Sequence, residues 1–357
     1  MANTSIKNGV PAYDTNGNRI QTHGGSVYYD GGKFWWYGEN KEFTTSAYTA
    51  IRHNGVRMYS SDDLYNWTDE GVVCKPSEDP SNPLHNTRFV ERPHIIYNKK
   101  TAKYVMWSKL VGNNENKGDW NCQYYGIATS DRINGEYTLV NTLHPCQMNA
   151  GDFDLYVNPS DGKAYIYFER VHTELICADL TEDYLGVTGY YSSHFPYGYP
   201  PFVREAPAFF TRRGINYLFT SGTTGYFPNP TECADSRLFH GPWDVKGDPC
   251  AGDTTKTTFG SQISSVFRHP HKKDLYIAIA DRWLVDYDLS LRPLVHNNFI
   301  RNFSPVKENL PDDGGINLGK LTEYNTCIAE YLWLPIKFDG DRAYLEYVDE
   351  FRIEDYE

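Results

Sequence analysis

One short pattern recurs five times along the 357-residue chain and constrains its fold more than any other feature. Each copy begins with a polar residue, here called the head, followed by an apolar strand, a polar turn and a second strand that opens on an aromatic residue. The head stands eleven to fourteen residues before that aromatic residue. The five pairs are His23 with Phe34, Glu91 with Tyr104, Asp152 with Tyr165, Glu205 with Tyr217, and Gln262 with Tyr276.

The spacing of the copies predicts an all-β propeller. The aromatic residues that open the second strands are 70, 61, 52 and 59 residues apart, a length that suits four short antiparallel strands with their turns. Short segments rich in Tyr, Phe, Val, Ile and Trp are bounded by Gly, Asn, Asp and Pro, and none sustains a helical period. We therefore expect a five-bladed β-propeller, with a two-sheet sandwich as the alternative.

A single domain over residues 1–357 accounts for all five copies. Its blades are expected to begin near residues 23, 91, 152, 205 and 262, and strands within 331–353 to complete the last blade or cross back to the first. Propeller loops gather at the rims, so the longer connections are expected to shape a pocket mouth. These connections are 42–54, 76–88, 111–123, 190–203 and 224–230.

Charge and hydropathy argue against several classes of partner. The net charge is −12 without a basic block, which argues against nucleic acid and anionic membranes. The mean hydropathy is −0.60, and no apolar run approaches the roughly 18 residues of a membrane span. The first residues form no signal peptide, so the protein is either cytosolic or has lost a signal. We expect a secreted or periplasmic monomer.

The seven cysteines indicate no metal site. No Cys-x-x-Cys motif occurs, and the odd number leaves at least one thiol unpaired. Cys233 could pair with Cys250, and Cys122 with Cys146, while buried free thiols are an equal alternative. We expect no cofactor and leave open whether a structural ion fills the channel.

The heads should meet at one end of the channel, because the innermost strand of each blade lines it. Cleavage of a glycosidic bond needs an acid that protonates the leaving oxygen and a second group that acts as base or nucleophile. In the inverting geometry the two groups stand about 6.5–9.5 Å apart, which leaves room for water. A third carboxylate can raise the pKa of the acid by like-charge repulsion. A ring with three acidic heads therefore favours sugar cleavage.

A series of short motifs is spread over residues 20–350. The motifs are His23-Gly24-Gly25, Tyr37-Gly38-Glu39-Asn40-Lys41, Tyr59 to Trp67, Glu91-Arg92-Pro93, Asp152, Glu205-Ala206-Pro207, Thr223 to Asn229, Ser261-Gln262, Asp281-Arg282-Trp283 and Tyr331 to Pro335. Each motif is weak alone, and together they are fairly specific. In this series the chain resembles glycoside hydrolase family 43, the five-bladed inverting enzymes, and more closely its exo-β-1,3-galactanase subfamily, subfamily 24.

The resemblance implies roles for the acidic heads. Glu205 would be the general acid, and Asp152 would tune its pKa and orient it. Asp154, two residues further on, is the rival for the second role. Glu91 would hold sugar hydroxyls or assist the base.

The base is where the chain departs from most of the wider family, which has an Asp at the head of the first blade. This chain has His23-Gly24-Gly25 there. The galactanase-like subfamily shares that absence and has a glutamine at the position of Gln262. A neutral amide is a poor base, so Gln262 would act through its imidic-acid tautomer or position water while Glu91 supplies charge.

Other residues are expected to contact the sugar. Glu39 would hydrogen-bond to sugar hydroxyls, with a structural salt bridge as the alternative. The remaining candidates for the pocket lining are His23, Tyr125 (or Tyr124), Thr223, Thr224 and Trp283.

Taken together, the resemblance implies an inverting exo-acting galactosidase on β-1,3-galactan, the backbone of arabinogalactan. One alternative is another exo-glycosidase of the same fold, acting on arabinofuranose or galactofuranose. The other is a sugar-binding propeller without catalysis. In each case the partner is an oligosaccharide or polysaccharide.

Overall fold

The computed structural model describes residues 2–45, 51–114, 117–320 and 323–357. Residues 46–50 of the predicted loop 42–54 therefore lie outside it, as do residues 115–116 of the connection 111–123. A short strand near the start of the chain, β1 (Ile6–Lys7), pairs with β24 (Glu350–Phe351) near its end. No helix in these ranges is long and apolar enough to cross a membrane.

Four antiparallel sheets of four strands follow one another along the chain, as the all-β prediction required. The first has β2 (His23–Asp30), β3 (Lys33–Glu39), β4 (Val56–Ser61) and β5 (Thr68–Cys74); the second β6 (Val90–Asn98), β7 (Lys103–Asn114), β8 (Lys117–Ser130) and β9 (Thr138–Leu143); the third β10 (Ala150–Val157), β11 (Ala164–Arg170), β12 (Glu174–Leu180) and β13 (Val187–His194); and the fourth β14 (Arg204–Arg212), β15 (Ile215–Gly222), β16 (Glu232–Ser236) and β17 (Asp244–Gly247).

Two sheets of three strands complete the propeller. The fifth contains β19 (Gln262–Arg268), β20 (Tyr276–Arg282) and β21 (Glu330–Pro335), and the sixth contains β18 (Cys250–Ala251), β22 (Lys337–Asp339) and β23 (Arg342–Glu346). The predicted number of five blades was therefore wrong, since the described residues form six sheets of three or four strands besides the two-stranded β1–β24 pair. The sixth escaped the sequence pattern because β18 pairs in parallel with β23 from a distant part of the chain, and neither carries a head.

The first strands of the five head-bearing sheets pack side by side in a closed ring, in the order β2, β6, β10, β14 and β19, with β19 returning to β2. Side-chain alternation along each strand supplies the core between sheets. On β3, Trp36 packs with Trp67 and Trp333 towards the fifth sheet, while Trp35 and Tyr37 face the cluster shared with the second sheet. Aromatic neighbours in sequence thus stabilise two different interfaces.

Every inner strand has a β-bulge at or just after its head. The pairing register shifts between His23 and Ser26, Glu91 and His94, Ala150 and Phe153, Glu205 and Ala208, and Ile263 and Ser265. Gly24, Arg92 and Ala206, which each follow a head, have positive φ of 60°, 48° and 47°. A bulge adds one residue and redirects the local side chains, so it gives the head an orientation that the rest of the strand does not share.

The second glycine of the first bulge is required by close packing. A Cβ at Gly25 would lie 1.8 Å from the carbonyl oxygen of Tyr37. The segment that follows the first head therefore packs tightly against its own sheet.

The cysteines are all free thiols, and neither of the two pairings considered from the sequence is present.

Candidate active site

A cavity of about 480 Å³ opens where the heads meet. Four of the five heads line it, namely Glu91, Asp152, Glu205 and Gln262. The fifth, His23, is fully buried beneath it. The ring stacks on Tyr331, and its two nitrogens lie 3.1 Å from Asp281 Oδ1 and 3.2 Å from Tyr331 Oη. His23 is thus a support inside the channel.

Glu205 is the carboxyl best suited to hold a proton. It stands at the start of β14 and is 9% exposed. Burial raises its pKa well above the ordinary value for glutamate, and the negative charges of Asp152 and Glu169 raise it further. Arg92 and Lys109 oppose this shift only in part. A protonated carboxyl facing a cavity can donate to an incoming oxygen.

Asp152 is held in the opposite state. Burial alone would raise its pKa, but Arg92 Nε and Lys109 Nζ, each 2.7 Å from a carboxylate oxygen, outweigh burial and lower it. The backbone N–H of Ala206, the residue after Glu205, is a further cause of the lowered pKa of Asp152. The Asp152 carboxylate therefore acts on Glu205 through its negative charge.

Asp154, the rival to Asp152, belongs to another place. It accepts hydrogen bonds of 2.7 Å from the backbone N–H groups of Phe209 and Leu155. Burial raises its pKa to about 7. Together with His94 it lines a separate cavity, which Glu205 does not reach.

Two buried lysines neutralise the other carboxylates. Lys109 Nζ lies 2.7 Å from Glu91 Oε2 as well as from Asp152, so it joins two heads. Burial raises the pKa of Glu91, but Lys109 and Lys41 outweigh burial and the net shift is downward. Lys41 Nζ lies 2.6 Å from Glu39 Oε2, and the other oxygen of Glu39 accepts from the backbone N–H of Arg92 at 2.9 Å. Glu39 therefore makes the structural salt bridge and also lines the cavity.

The amide of Gln262 uses both of its donors and both of its acceptor positions. Its Nε2 donates to Glu205 Oε1 at 3.1 Å and to Ser221 Oγ at 2.9 Å. Its Oε1 accepts from the guanidinium of Arg92 and from Trp283 Nε1 at 3.3 Å. Because an arginine can only donate, the contact with Arg92 fixes which end of the amide is oxygen.

The remaining candidates from the sequence divide into lining and supporting residues. Thr223 and Trp283 line the cavity. Thr224 is turned away, and its hydroxyl donates to the carbonyl of Phe227 at 2.6 Å. Tyr125 is fully buried in the core and donates to the carbonyl of Gly151 at 2.8 Å.

Sequence reasoning missed most of the charged groups around the heads. Glu169 and His172, 2.6 Å apart, line the cavity beside Lys109. Lys109 could have been found, because it stands opposite Glu91 in the register of the β6–β7 hairpin. No repeated pattern pointed to the aromatic side chains that form much of the wall, which are Phe89, Trp120, Tyr226, Phe227, Phe299, Phe303 and Tyr324.

Comparison with known proteins identifies several similar structures. Two solved structures described as family 43 β-1,3-galactosidases are similar to the chain. The first is 28% identical with a TM-score of 0.79, covering 99% of this chain and 64% of that one. The second, in complex with galactodeoxynojirimycin, is 26% identical with a TM-score of 0.78, covering 98% of this chain and 100% of that one.

A third similar structure is an exo-β-1,3-galactanase from Clostridium thermocellum, 26% identical with a TM-score of 0.75, covering 98% of this chain and 66% of that one. The chain thus spans just under two thirds of the length of the first and third of these proteins. No match was found among curated protein sequences. The family model described as glycosyl hydrolases family 43 matches residues 8–284. Since that match covers well over half of the sequence, the chain belongs to glycosyl hydrolase family 43.

Proposed function

We propose that the protein is an inverting exo-glycoside hydrolase that releases galactose from β-1,3-galactan, the backbone of arabinogalactan. One observation carries the proposal: Glu205, a buried carboxyl with a raised pKa, shares a cavity with ionised Asp152 and the amide of Gln262. The choice of galactan is supported by the similar structures, 26–28% identical to this chain, which are described as two β-1,3-galactosidases and an exo-β-1,3-galactanase.

Glu205 acts as the general acid. Its raised pKa keeps the proton on the carboxyl at neutral pH, ready for the oxygen of the leaving group. Asp152 stays ionised beside it. Its negative charge disfavours loss of the proton from Glu205, because two negative charges so close would repel each other.

Gln262 positions the attacking water. In the cavity without substrate its amide touches Glu205, so a sugar that enters between the two groups must break that 3.1 Å hydrogen bond. Both partners of Oε1, Arg92 and Trp283, are donors. The hydroxyl of an imidic-acid tautomer could donate to neither, which favours the ordinary amide and a role in holding water.

Glu91 supplies the negative charge on the water side. Lys109 and Lys41 keep it ionised despite burial, and it shares the cavity with Gln262. Its carboxylate can accept hydrogen bonds from sugar hydroxyls and accept the proton that water loses as it attacks the anomeric carbon. Glu39 and Trp283 complete the pocket for the terminal sugar.

The test is incubation with a panel of aryl glycosides and with β-1,3-galactan, following the anomer of the product by NMR. Galactose released with inverted configuration is expected. Gln262→Ala and Glu91→Gln should each lower turnover by at least about a hundredfold while the fold stays intact, as circular dichroism would check. The control Gln147→Ala, at an exposed glutamine outside the cavity, should leave turnover unchanged.

Near-full activity in both cavity variants would contradict the assigned roles. Release of arabinose instead of galactose would support the other family 43 activity. Galactose binding without hydrolysis of any glycoside would support a non-catalytic sugar-binding propeller.

A further inference from the structure

One wall of the cavity comes from a long segment that belongs to no part of the repeated pattern. It is residues 283–329, between β20 and β21, and it contains the helix α1 (Arg292–Phe303). The cavity residues that it supplies include Asn298, Phe299, Asn302 and Phe303 from α1.

Aromatic contacts place this wall on the side of Glu205. His296 of α1 packs edge-on against Phe202, with ring centroids 5.4 Å apart, and Phe202 lies just before β14. Phe227, in the connection after β15, contacts Tyr287 and Tyr324 of the same segment at 5.3 and 5.5 Å. The segment is thus fixed to the two connections that flank the hairpin β14–β15. Because the acid protonates the leaving oxygen, the leaving part of a substrate passes along this side.

Phe299 and Phe303 give the wall an apolar strip. They are one helical turn apart, their ring centroids are 5.7 Å apart and their planes differ by 20°. Phe299 is half-buried and Phe303 is 49% exposed, so the strip runs from the cavity towards the solvent. Two nearly parallel rings in the cavity wall offer apolar surface, which fits the C–H face of a pyranose.

A polar edge runs beside the strip. Asn302 Nδ2 donates to Asn298 Oδ1 at 2.9 Å, and Asn298 Nδ2 donates to Asp313 Oδ2 at 2.8 Å. These bonds orient both amides, and the side-chain oxygen of Asn302 accepts no hydrogen bond from the described residues. An oriented acceptor next to an apolar surface suits a sugar ring, which has an apolar face and a hydroxyl-bearing edge.

We propose that Phe299 and Phe303 form a subsite for the leaving side of the substrate, which binds the sugar units that follow the scissile bond in a β-linked galactan chain. The inference rests on the proposed function and makes it more specific. The enzyme prefers a chain of several sugars to a single galactoside because the helix binds the chain beyond the point of cleavage.

The test compares β-1,3-galactotetraose with β-galactosyl fluoride, whose leaving group is too small to reach α1. In the double variant Phe299→Ala/Phe303→Ala, the ratio of kcat/KM for the tetrasaccharide to that for the fluoride should fall about tenfold, a usual effect of losing an apolar contact in a binding pocket. The aromatic replacement Phe299→Trp/Phe303→Trp should retain the ratio. Val306→Ala, at a 61% exposed side chain just after α1, is the matched control.

Calorimetry in the Glu205→Gln background gives an independent reading. Galactotetraose should bind more tightly than galactose, and the double alanine variant should lose this advantage. Galactose release with no gain from chain length, or with the same ratio in the double alanine variant, overturns the inference and leaves the proposed function standing. Failure to hydrolyse or bind any galactoside overturns both.

Discussion

Lys109 should determine both the ionisation pattern of the site and much of its stability. Its ammonium group lies 2.7 Å from Glu91 and 2.7 Å from Asp152, and the residue is 7% exposed. At an effective dielectric constant of about 20, each contact is worth about 6 kcal/mol of attraction before the cost of desolvation is subtracted. The replacement Lys109→Met keeps the length of the side chain and removes the charge.

We expect Lys109→Met to lower the free energy of unfolding by about 3–5 kcal/mol at pH 7.5, the usual effect of leaving a buried charge without its partner. In the parent protein the pKa values of Glu91 and Asp152 are lowered. Their contribution to stability is therefore present above the unfolded pKa values of about 4 and is lost as the pH falls below them.

In the variant we expect the pKa shifts of Glu91 and Asp152 to reverse direction. Without Lys109, burial and mutual repulsion push the two carboxyl pKa values upward, so the folded variant takes up protons that the parent does not. Its deficit in stability should be widest at neutral pH and shrink towards pH about 4.5. Urea denaturation at the two pH values measures this difference.

The surface pair of Lys100 and Glu182, whose side chains are 67% and 84% exposed, provides the control. Lys100→Met should cost less than about 1 kcal/mol at either pH. A loss at Lys109 below about 1 kcal/mol would refute the reasoning. An equal loss of unfolding free energy at both pH values would show that Lys109→Met destabilises the fold through poorer packing and not through loss of charge.

Two further predictions concern the acid and the first bulge. Asp152→Asn removes a negative charge that raises the pKa of Glu205, so the alkaline limb of kcat/KM should move to lower pH by about one unit or more; a limb that stays in place or moves upward would contradict the assigned interaction. Gly25→Ala places a Cβ 1.8 Å from a backbone oxygen and should destabilise the fold by more than about 3 kcal/mol in thermal unfolding. Gly186→Ala, whose Cβ would meet nothing closer than 3.7 Å, should stay within about 1 kcal/mol of the parent, and equal effects in the two variants would show that close packing is not the cause.

The sequence predicted local structure better than it predicted the assembly of distant segments. Strand alternation and turn residues are local signals, and in the structure a strand begins within two residues of each head. The pairing of β18 with β23 joins residues from separate regions of the chain and leaves no local pattern. The helix α1 lies in a segment outside the repeat, so the spacing of the heads did not predict it.

The site shows a similar division. The heads could be predicted because each opens a strand, but a lysine in a strand usually indicates a solvent-facing side chain, and Lys109 is instead buried between two carboxylates. His23 and Tyr125 were expected to contact substrate and are fully buried supports. At the bulge beside His23 the simple alternation of side chains fails, so the sequence does not reveal which way that residue points.

The bulge at every head makes the strand pairing of the ring independent of which side chain the head carries. In each inner strand the break in pairing register is confined to the bulge. Regular pairing resumes no later than three residues beyond the head, whether the head is His, Glu, Asp or Gln. The five head positions therefore share a similar bulged backbone and carry different side chains. A change of reaction on such a scaffold needs only substitutions at single head positions, and these leave the backbone hydrogen bonds between the strands unchanged.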